Sequence, residues 1–325
     1  MKIGLIDVDG HNFPNLALMK ISAYHKAKGD DVEWCNPFYH YDIVYQCKVF
    51  SDTYTDDISF VPQTSKLIKG GTGYAIETVN GKEIYHKELD KPLPYEIEHQ
   101  YPDYSLYPEY TKDTAYGFMT RGCCNDCGFC IVCQKEGLCS LKVADLSEFW
   151  TGQKNIVLLD PNILACTERK SLLQQLIDSK AKIDFTQGLD ARFVTDEIAE
   201  MICKCNIKMV HFAFDFMKNE KQIVKGLKTF KKYYDKSERN LVVYILTNYD
   251  TAIKEDLYRL HKVEELGYTP DIRIYNKPTA PQILKDLQRW CNNRFIYRSC
   301  EFKDYIPRKD GKTIAELYPE YFKEQ

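Results

Sequence analysis

Residues 120–133 read Thr-Arg-Gly-Cys-Cys-Asn-Asp-Cys-Gly-Phe-Cys-Ile-Val-Cys and hold five of the chain's 13 cysteines. Cys123, Cys127 and Cys130 have the spacing C-x3-C-x2-C. Thiolate is the standard protein ligand of iron–sulfur clusters. Three thiolates on one short loop can hold three irons of a [4Fe–4S] cluster and leave the fourth iron open to a substrate or cofactor. Gly122 and Gly128 let the backbone wrap closely round such a cluster. Other ligand sets are open on the same residues. Cys124, Cys127, Cys130 and Cys133 form a C-x2-C-x2-C-x2-C set that would close all four irons and leave only electron transfer. The ferredoxin run it approaches has x3 before its last cysteine and then Pro, and neither is present. A structural zinc would need a second, distant pair, Cys203 with Cys205 or Cys291 with Cys300, at spacings that suit zinc poorly. Thiols without a ligand are the remaining case. The loop alone does not choose the binding three, because Cys124, Cys133 and Cys139 lie close by.

The elements that must position this loop follow from the bulk pattern. A length of 325 residues sets a prior of about two domains. Net charge is −3, from 44 basic against 47 acidic residues, so there is no global attraction for nucleic acid or anionic membrane. Seven lysines in residues 218–236 read as a solvated helix face. The N-terminal apolar run is too short for a signal peptide, and no stretch approaches the ~20 apolar residues of a membrane span. A cytoplasmic protein with reduced thiols is therefore expected.

The fold class expected is α/β. Residues 1–75 read as a small parallel α/β domain: a strand at 2–8, a helix at 14–28 ended by Gly29, and strands at 31–34, 42–47 and 66–69. Residues 76–113, with Pro92, Pro94, Pro102 and Pro108, read as a linker without regular elements. From 114 to 300 the alternation is regular. Strands are expected at 115–120, 155–160, 182–187, 208–214, 241–247 and 270–275. Helices are expected near 145–152, 168–179, 195–205, 218–235, 251–267 and 281–292. Six strand–helix units suit a partial (β/α)6 barrel, whose chemistry would sit at the carboxyl ends of its strands. The cysteine loop follows the first of these strands. Residues 301–325 read as a C-terminal extension.

With Thr120-Arg121-Gly122 before the first cysteine and Phe129 before the last, the loop resembles that of radical S-adenosylmethionine (radical SAM) enzymes. The likeness covers residues 114–300. The Thr120-Arg121-Gly122-Cys123 entry resembles that of members with an N-terminal cobalamin-binding-type domain, which is flavodoxin- or Rossmann-like. The resemblance implies that Cys123, Cys127 and Cys130 ligate the cluster, that the methionine end of S-adenosylmethionine chelates the open iron, and that Phe129 contacts adenine. Many members have a Gly-Gly-Glu motif after the second strand; here Asp160-Pro161-Asn162 stands there, so Asp160 and Asn162 are the expected replacements. Gln187 and Arg192 are expected near the methionine carboxylate or ribose, and Asp215 follows the fourth strand. Each of these also suits a helix cap or a loop closure. Cys166, Tyr244, Tyr249 and Tyr275 are candidates to donate a hydrogen atom or touch substrate.

The implied chemistry is reductive cleavage of S-adenosylmethionine to a 5′-deoxyadenosyl radical that abstracts hydrogen from an unidentified substrate. A reductase such as flavodoxin or ferredoxin is the expected partner. The alternatives are a cobalamin-dependent methyltransferase and a non-enzymatic electron carrier. Asp7-Val8-Asp9-Gly10-His11-Asn12 does not match the Asp-x-His-x-x-Gly run of cobalamin domains, so a degenerate domain is expected. Gly70-Gly71-Thr72-Gly73 is weak evidence for a phosphate cradle. Only Cys35 and Cys47 precede the loop, too few for a methylthiotransferase's second cluster, and Cys291 with Cys300 are too few for one near the C-terminus.

Overall fold

The computed structural model describes every residue except 11–12, 53, 59–60, 80–81 and 323–325. The chain packs as two compact units, Met1–Pro161 with Cys166–Ile183, and Asn162–Ala165 with Asp184–Gln325.

The first unit opens with β1 (Lys2–Asp7), α1 (Leu16–Ala27), β2 (Asp31–Trp34), β3 (Tyr41–Cys47) and β4 (Thr64–Gly70). These strands form a parallel sheet of order β2-β1-β3-β4. Asn15 starts α1 by accepting the Leu18 amide, and Gly29, at φ +78°, follows its end. Ile3 and Leu5 of β1 pack with Leu18 and Ile21 of α1, whereas Ile6 packs with Tyr41 and Val44. Full burial of each such side chain stabilises by about 1.5–3 kcal/mol.

The proline-rich stretch is more ordered than its composition implies. It holds an antiparallel hairpin, β5 (Ile76–Val79) with β6 (Lys82–Tyr85), and two single-turn helices, α2 (Tyr95–Glu98) and α3 (Pro108–Thr111). Pro108 occupies the first position of α3, where its missing N–H costs nothing.

Next come β7 (Thr114–Gly117), β8 (Thr120–Arg121), α4 (Val132–Glu136), β9 (Leu141–Lys142), β10 (Asn155–Leu158) and α5 (Arg169–Ser179). β7 pairs in parallel with β10, and β8 pairs antiparallel with β9. The helix expected at 145–152 is a single tight turn, Leu146–Glu148. An Asp145–Glu148 capping box starts it, but Phe149 leaves helical geometry and Gly152 sits at φ +120°.

The second unit carries most of β11 (Lys182–Leu189), then α6 (Asp196–Lys204), β12 (Asn206–Ala213), α7 (Glu220–Tyr233), β13 (Leu241–Thr247), α8 (Ile253–Glu265), β14 (Thr269–Ile274), α9 (Gln282–Asn292), α10 (Arg294–Tyr297) and α11 (Ile314–Leu317). Each long helix buries one apolar stripe: Ile198 and Ile202 on α6, Ile223, Leu227 and Phe230 on α7, Leu260 and Val263 on α8, Ile283, Leu287 and Trp290 on α9. Phe212 of β12 meets the Phe230 ring edge-on at 5.1 Å.

The larger sheet has six parallel strands in the order β14-β13-β12-β11-β10-β7. Its edge strands do not pair with each other among the described residues, so no closed barrel forms. Among the described residues no helix is long and apolar enough to cross a membrane.

Candidate functional site

The cysteine loop lies within the first unit; it starts directly after β8 and returns through α4 into β9. Within it, the Cys130 amide donates to the Cys127 carbonyl at 2.8 Å, so these two cysteines share one turn. The Cys123 amide donates to the Gly137 carbonyl at 3.2 Å, which holds the first cysteine against the end of α4. Gly122 lies between, at φ +84°, where a Cβ would sit 2.1 Å from the Cys139 carbonyl oxygen. Only glycine meets both demands.

Cys123, Cys127 and Cys130 are part-buried, as is Phe129. Cys124 is exposed. Cys133 Sγ faces Asp126 Oδ1 at 3.2 Å, and burial, with that carboxylate, pushes its thiol above the usual range. Cys47, Cys166, Cys205 and Cys291 are buried. Among the described residues no three His, Cys, Asp or Glu side chains are gathered as a metal site. By donor type the loop fits an iron–sulfur cluster: three thiols on one segment, none of them sealed in the core.

Asp160 lies just beyond β10 and is 7% exposed. Its Oδ1 accepts the Thr120 amide at 2.5 Å, the Thr120 hydroxyl at 2.7 Å and the Met119 amide at 3.2 Å. These bonds explain why the strand expected at 115–120 breaks after Gly117: the next amides turn to a carboxylate rather than to a neighbouring strand. Asp160 thus anchors the chain immediately before the cysteine loop. Burial outweighs the three donors and pushes its carboxyl from 3.8 up to about 6.

The folded state therefore holds this proton more tightly than the unfolded chain. Its contribution to stability is present below pH 3.8 and is lost as pH rises through about 6. Asp160→Asn should flatten the slope of urea stability between those values. Asp160→Ala should cost about 2–4 kcal/mol at pH 7, because it strands two amides and a hydroxyl. Equal slopes for wild type and Asp160→Asn would refute the assignment.

Asn162 and Cys166 are both buried, at 3% and 0% exposure. Cys166 packs in the core.

In the second unit, Gln187 is an exposed residue of β11. Arg192 follows on the tight turn after β11, and its guanidinium grips Asp190 with two bonds, Nε to Oδ1 at 2.8 Å and an Nη to Oδ2 at 2.6 Å. Asp190 Oδ1 also caps that turn by accepting the Arg192 amide. Asp215, after β12, accepts the Leu246 amide at 3.3 Å. Burial chiefly, and the Asp190 charge in addition, push its carboxyl up to about 6.

A residue absent from the sequence reading organises these strand ends. Arg259 of α8 is fully buried. Its guanidinium donates at 2.7 Å to each of the Phe214, Asp215 and Leu246 carbonyls and at 2.6 Å to Asp256. Arg259 falls on the apolar stripe of Ile253, Leu260 and Val263, and that placement was the available signal.

The tyrosines differ in their surroundings. The Tyr244 hydroxyl donates to the Thr186 carbonyl at 3.0 Å, its ring stacks on His211 at 4.9 Å, and Arg273 lies 4.4 Å from its centroid. Burial pushes its phenol up to about 12. Tyr249 and Tyr275 meet edge-to-face at 5.0 Å.

In the small sheet, His11 and Asn12 lie outside the described residues. Asp7 accepts the Tyr107 hydroxyl at 2.6 Å, and Asp9 accepts the Val49 and Phe50 amides. A Cβ on Gly71 would meet the Lys48 carbonyl oxygen at 2.3 Å, and one on Gly73 the Phe50 carbonyl oxygen at 2.2 Å. Backbone packing thus accounts for Gly71 and Gly73, whereas a Cβ on Gly70 would meet nothing within 4 Å.

Comparison of the sequence with models of known protein families gives no match, and comparison with curated proteins gives none either.

Proposed function

We propose that the chain is a radical SAM enzyme, with a [4Fe–4S] cluster held by Cys123, Cys127 and Cys130. The observation that carries this reading is the C-x3-C-x2-C loop placed directly after β7 and β8, where the first strand of a six-stranded parallel sheet ends. We read the open sheet as a partial (β/α)6 barrel, and the sheet of order β2-β1-β3-β4 as a flavodoxin-like domain preceding it.

When bound, the cluster supplies one electron to the sulfonium of S-adenosylmethionine, which yields methionine and a 5′-deoxyadenosyl radical. The chain's own residues do the rest. Cys123, Cys127 and Cys130 provide three thiolates and leave one coordination position for the methionine end. Phe129, between two of them, offers a ring to adenine. Asp160 serves in this reading by fixing Met119 and Thr120, and hence the start of the loop. Gln187, Arg192 and Asp215 remain the second unit's candidates for contact with S-adenosylmethionine. A flavin or iron–sulfur reductase would supply electrons.

The closed four-thiolate alternative is disfavoured by Cys133, whose thiol is engaged with Asp126. A structural zinc is disfavoured by Cys205 and Cys291, whose thiols are buried and pushed well up by desolvation. Anaerobic reconstitution with iron and sulfide tests the reading: about four irons and four sulfides per chain are expected. A chain that retains zinc and takes up no sulfide would overturn it.

A further inference from the structure

We propose that Glu136 is the latch of the cysteine loop, a positioning residue that closes the loop at its neck and so fixes the two ends of the span that carries the three thiols. The inference rests on the reading of this loop as the cluster carrier. Glu136 is the last residue of α4, and its side chain is only 12% exposed. One carboxylate oxygen accepts the Arg121 guanidinium at 2.8 Å, and the other accepts the Gly122 amide at 2.9 Å. Both donors immediately precede Cys123, so a single side chain ties residue 136 back to residues 121 and 122. Cys123, Cys127 and Cys130 all lie between those points.

The neighbourhood is built around this closure. Arg121 is oriented by stacking on Phe118, 3.5 Å from the ring centroid, and by Glu98 at 3.7 Å. The positive φ of Gly122 turns its amide, and the Cys123 to Gly137 bond continues the seam. β8 and β9 then pair Arg121 with Leu141 and Thr120 with Lys142. On the other side of α4, Lys135 binds Thr72 and lies 3.4 Å from Asp90, which also accepts the Tyr85 hydroxyl. The helix is therefore held from both flanks while the nine-residue span from Cys123 to Ile131 between the anchors contains no regular element. An unlatched loop of this kind must bring its ends together each time it binds metal; a latched one has its ends fixed beforehand.

The test uses the full chain with Glu136→Ala and Glu136→Gln. A glutamine keeps an acceptor for Gly122 but loses the charge that holds Arg121, so it should fall between wild type and alanine. In the metal-free chain, amide hydrogen exchange at Gly122 should quicken by about tenfold or more in Glu136→Ala. In the reconstituted chain, loss of iron to a ferrous chelator should quicken by about tenfold or more, as it does when an outer partner of a metal ligand is removed. Far-UV circular dichroism should be unchanged; if Glu136→Ala fails to fold, Glu136→Gln carries both readouts. Wild-type chelation kinetics in a variant chain that holds a cluster would overturn the latch. If wild type takes up no cluster, the radical SAM reading falls, and the Gly122 exchange rate still decides the latch by itself: no change overturns it.

Discussion

Alanine at Cys123, Cys127 or Cys130 is expected to abolish the four-iron signature of the reconstituted chain, whereas alanine at Cys124, Cys133 or Cys139 leaves it in place. The contrast follows from position. Cys127 and Cys130 share one turn, and Cys123 is fixed by its bond to Gly137. Cys133 is turned to Asp126, and Cys124 and Cys139 are exposed. Removing a direct ligand should exceed the about 10- to 100-fold cost of removing an outer partner. Iron and sulfide analysis with the visible absorption of each variant gives the answer. Retention of four irons in Cys127→Ala, with loss in Cys133→Ala, would reassign the ligand set. The Asp126–Cys133 contact would then have to open on metal binding.

The second large effect is expected at Arg259. Its guanidinium joins two strand ends to α8 through three carbonyls and Asp256, and the Arg259 and Asp256 side chains are both buried. Arg259→Met leaves the Asp256 charge buried without a partner and should cost about 3–5 kcal/mol in urea unfolding. The pairing is also imperfect, since among the described residues Arg259 Nε and Asp256 Oδ2 have no hydrogen-bond partner. Replacing both residues, as Arg259→Met with Asp256→Leu, should therefore recover much of the loss. The three carbonyls would remain unsatisfied, so recovery should be incomplete. A single variant that costs less than about 1 kcal/mol would contradict the description of Arg259 as the tie between these strands.

What the sequence disclosed and what it hid divide along physical lines. Helices α5 to α9 and strands β11 to β14 were legible because each carries a long apolar stripe at its own period, and the boundaries agree to within about two residues. The strand expected at 115–120 was not legible as two pieces, because its break is imposed by Asp160, which is 40 residues away in the chain. The turn at 146–148 looked helical because Leu146, Phe149 and Trp150 have helical spacing; the positive φ of Gly152 is a tertiary choice that spacing does not reveal. The hairpin of β5 and β6 had a signal that the prolines obscured, an Asn80-Gly81 dipeptide between two alternating runs.

For the site, the cysteine loop is singled out by its spacing alone. Asp160 was singled out as a cofactor contact, and the structure gives its carboxylate to the backbone of residues 119 and 120. Glu136 and Arg259 were invisible, because nothing in a sequence marks a charged residue as the partner of a distant amide or carbonyl. Both emerge only when packing brings their partners near.

The measurement that tests the central claim most directly is chromatography for 5′-deoxyadenosine after the reconstituted, dithionite-reduced chain is given S-adenosylmethionine. The account predicts that 5′-deoxyadenosine and methionine accumulate in equal amounts with wild type and not with Cys127→Ala. A chain that holds four irons, yet forms no 5′-deoxyadenosine and shows no spectral change on adding S-adenosylmethionine, would contradict it.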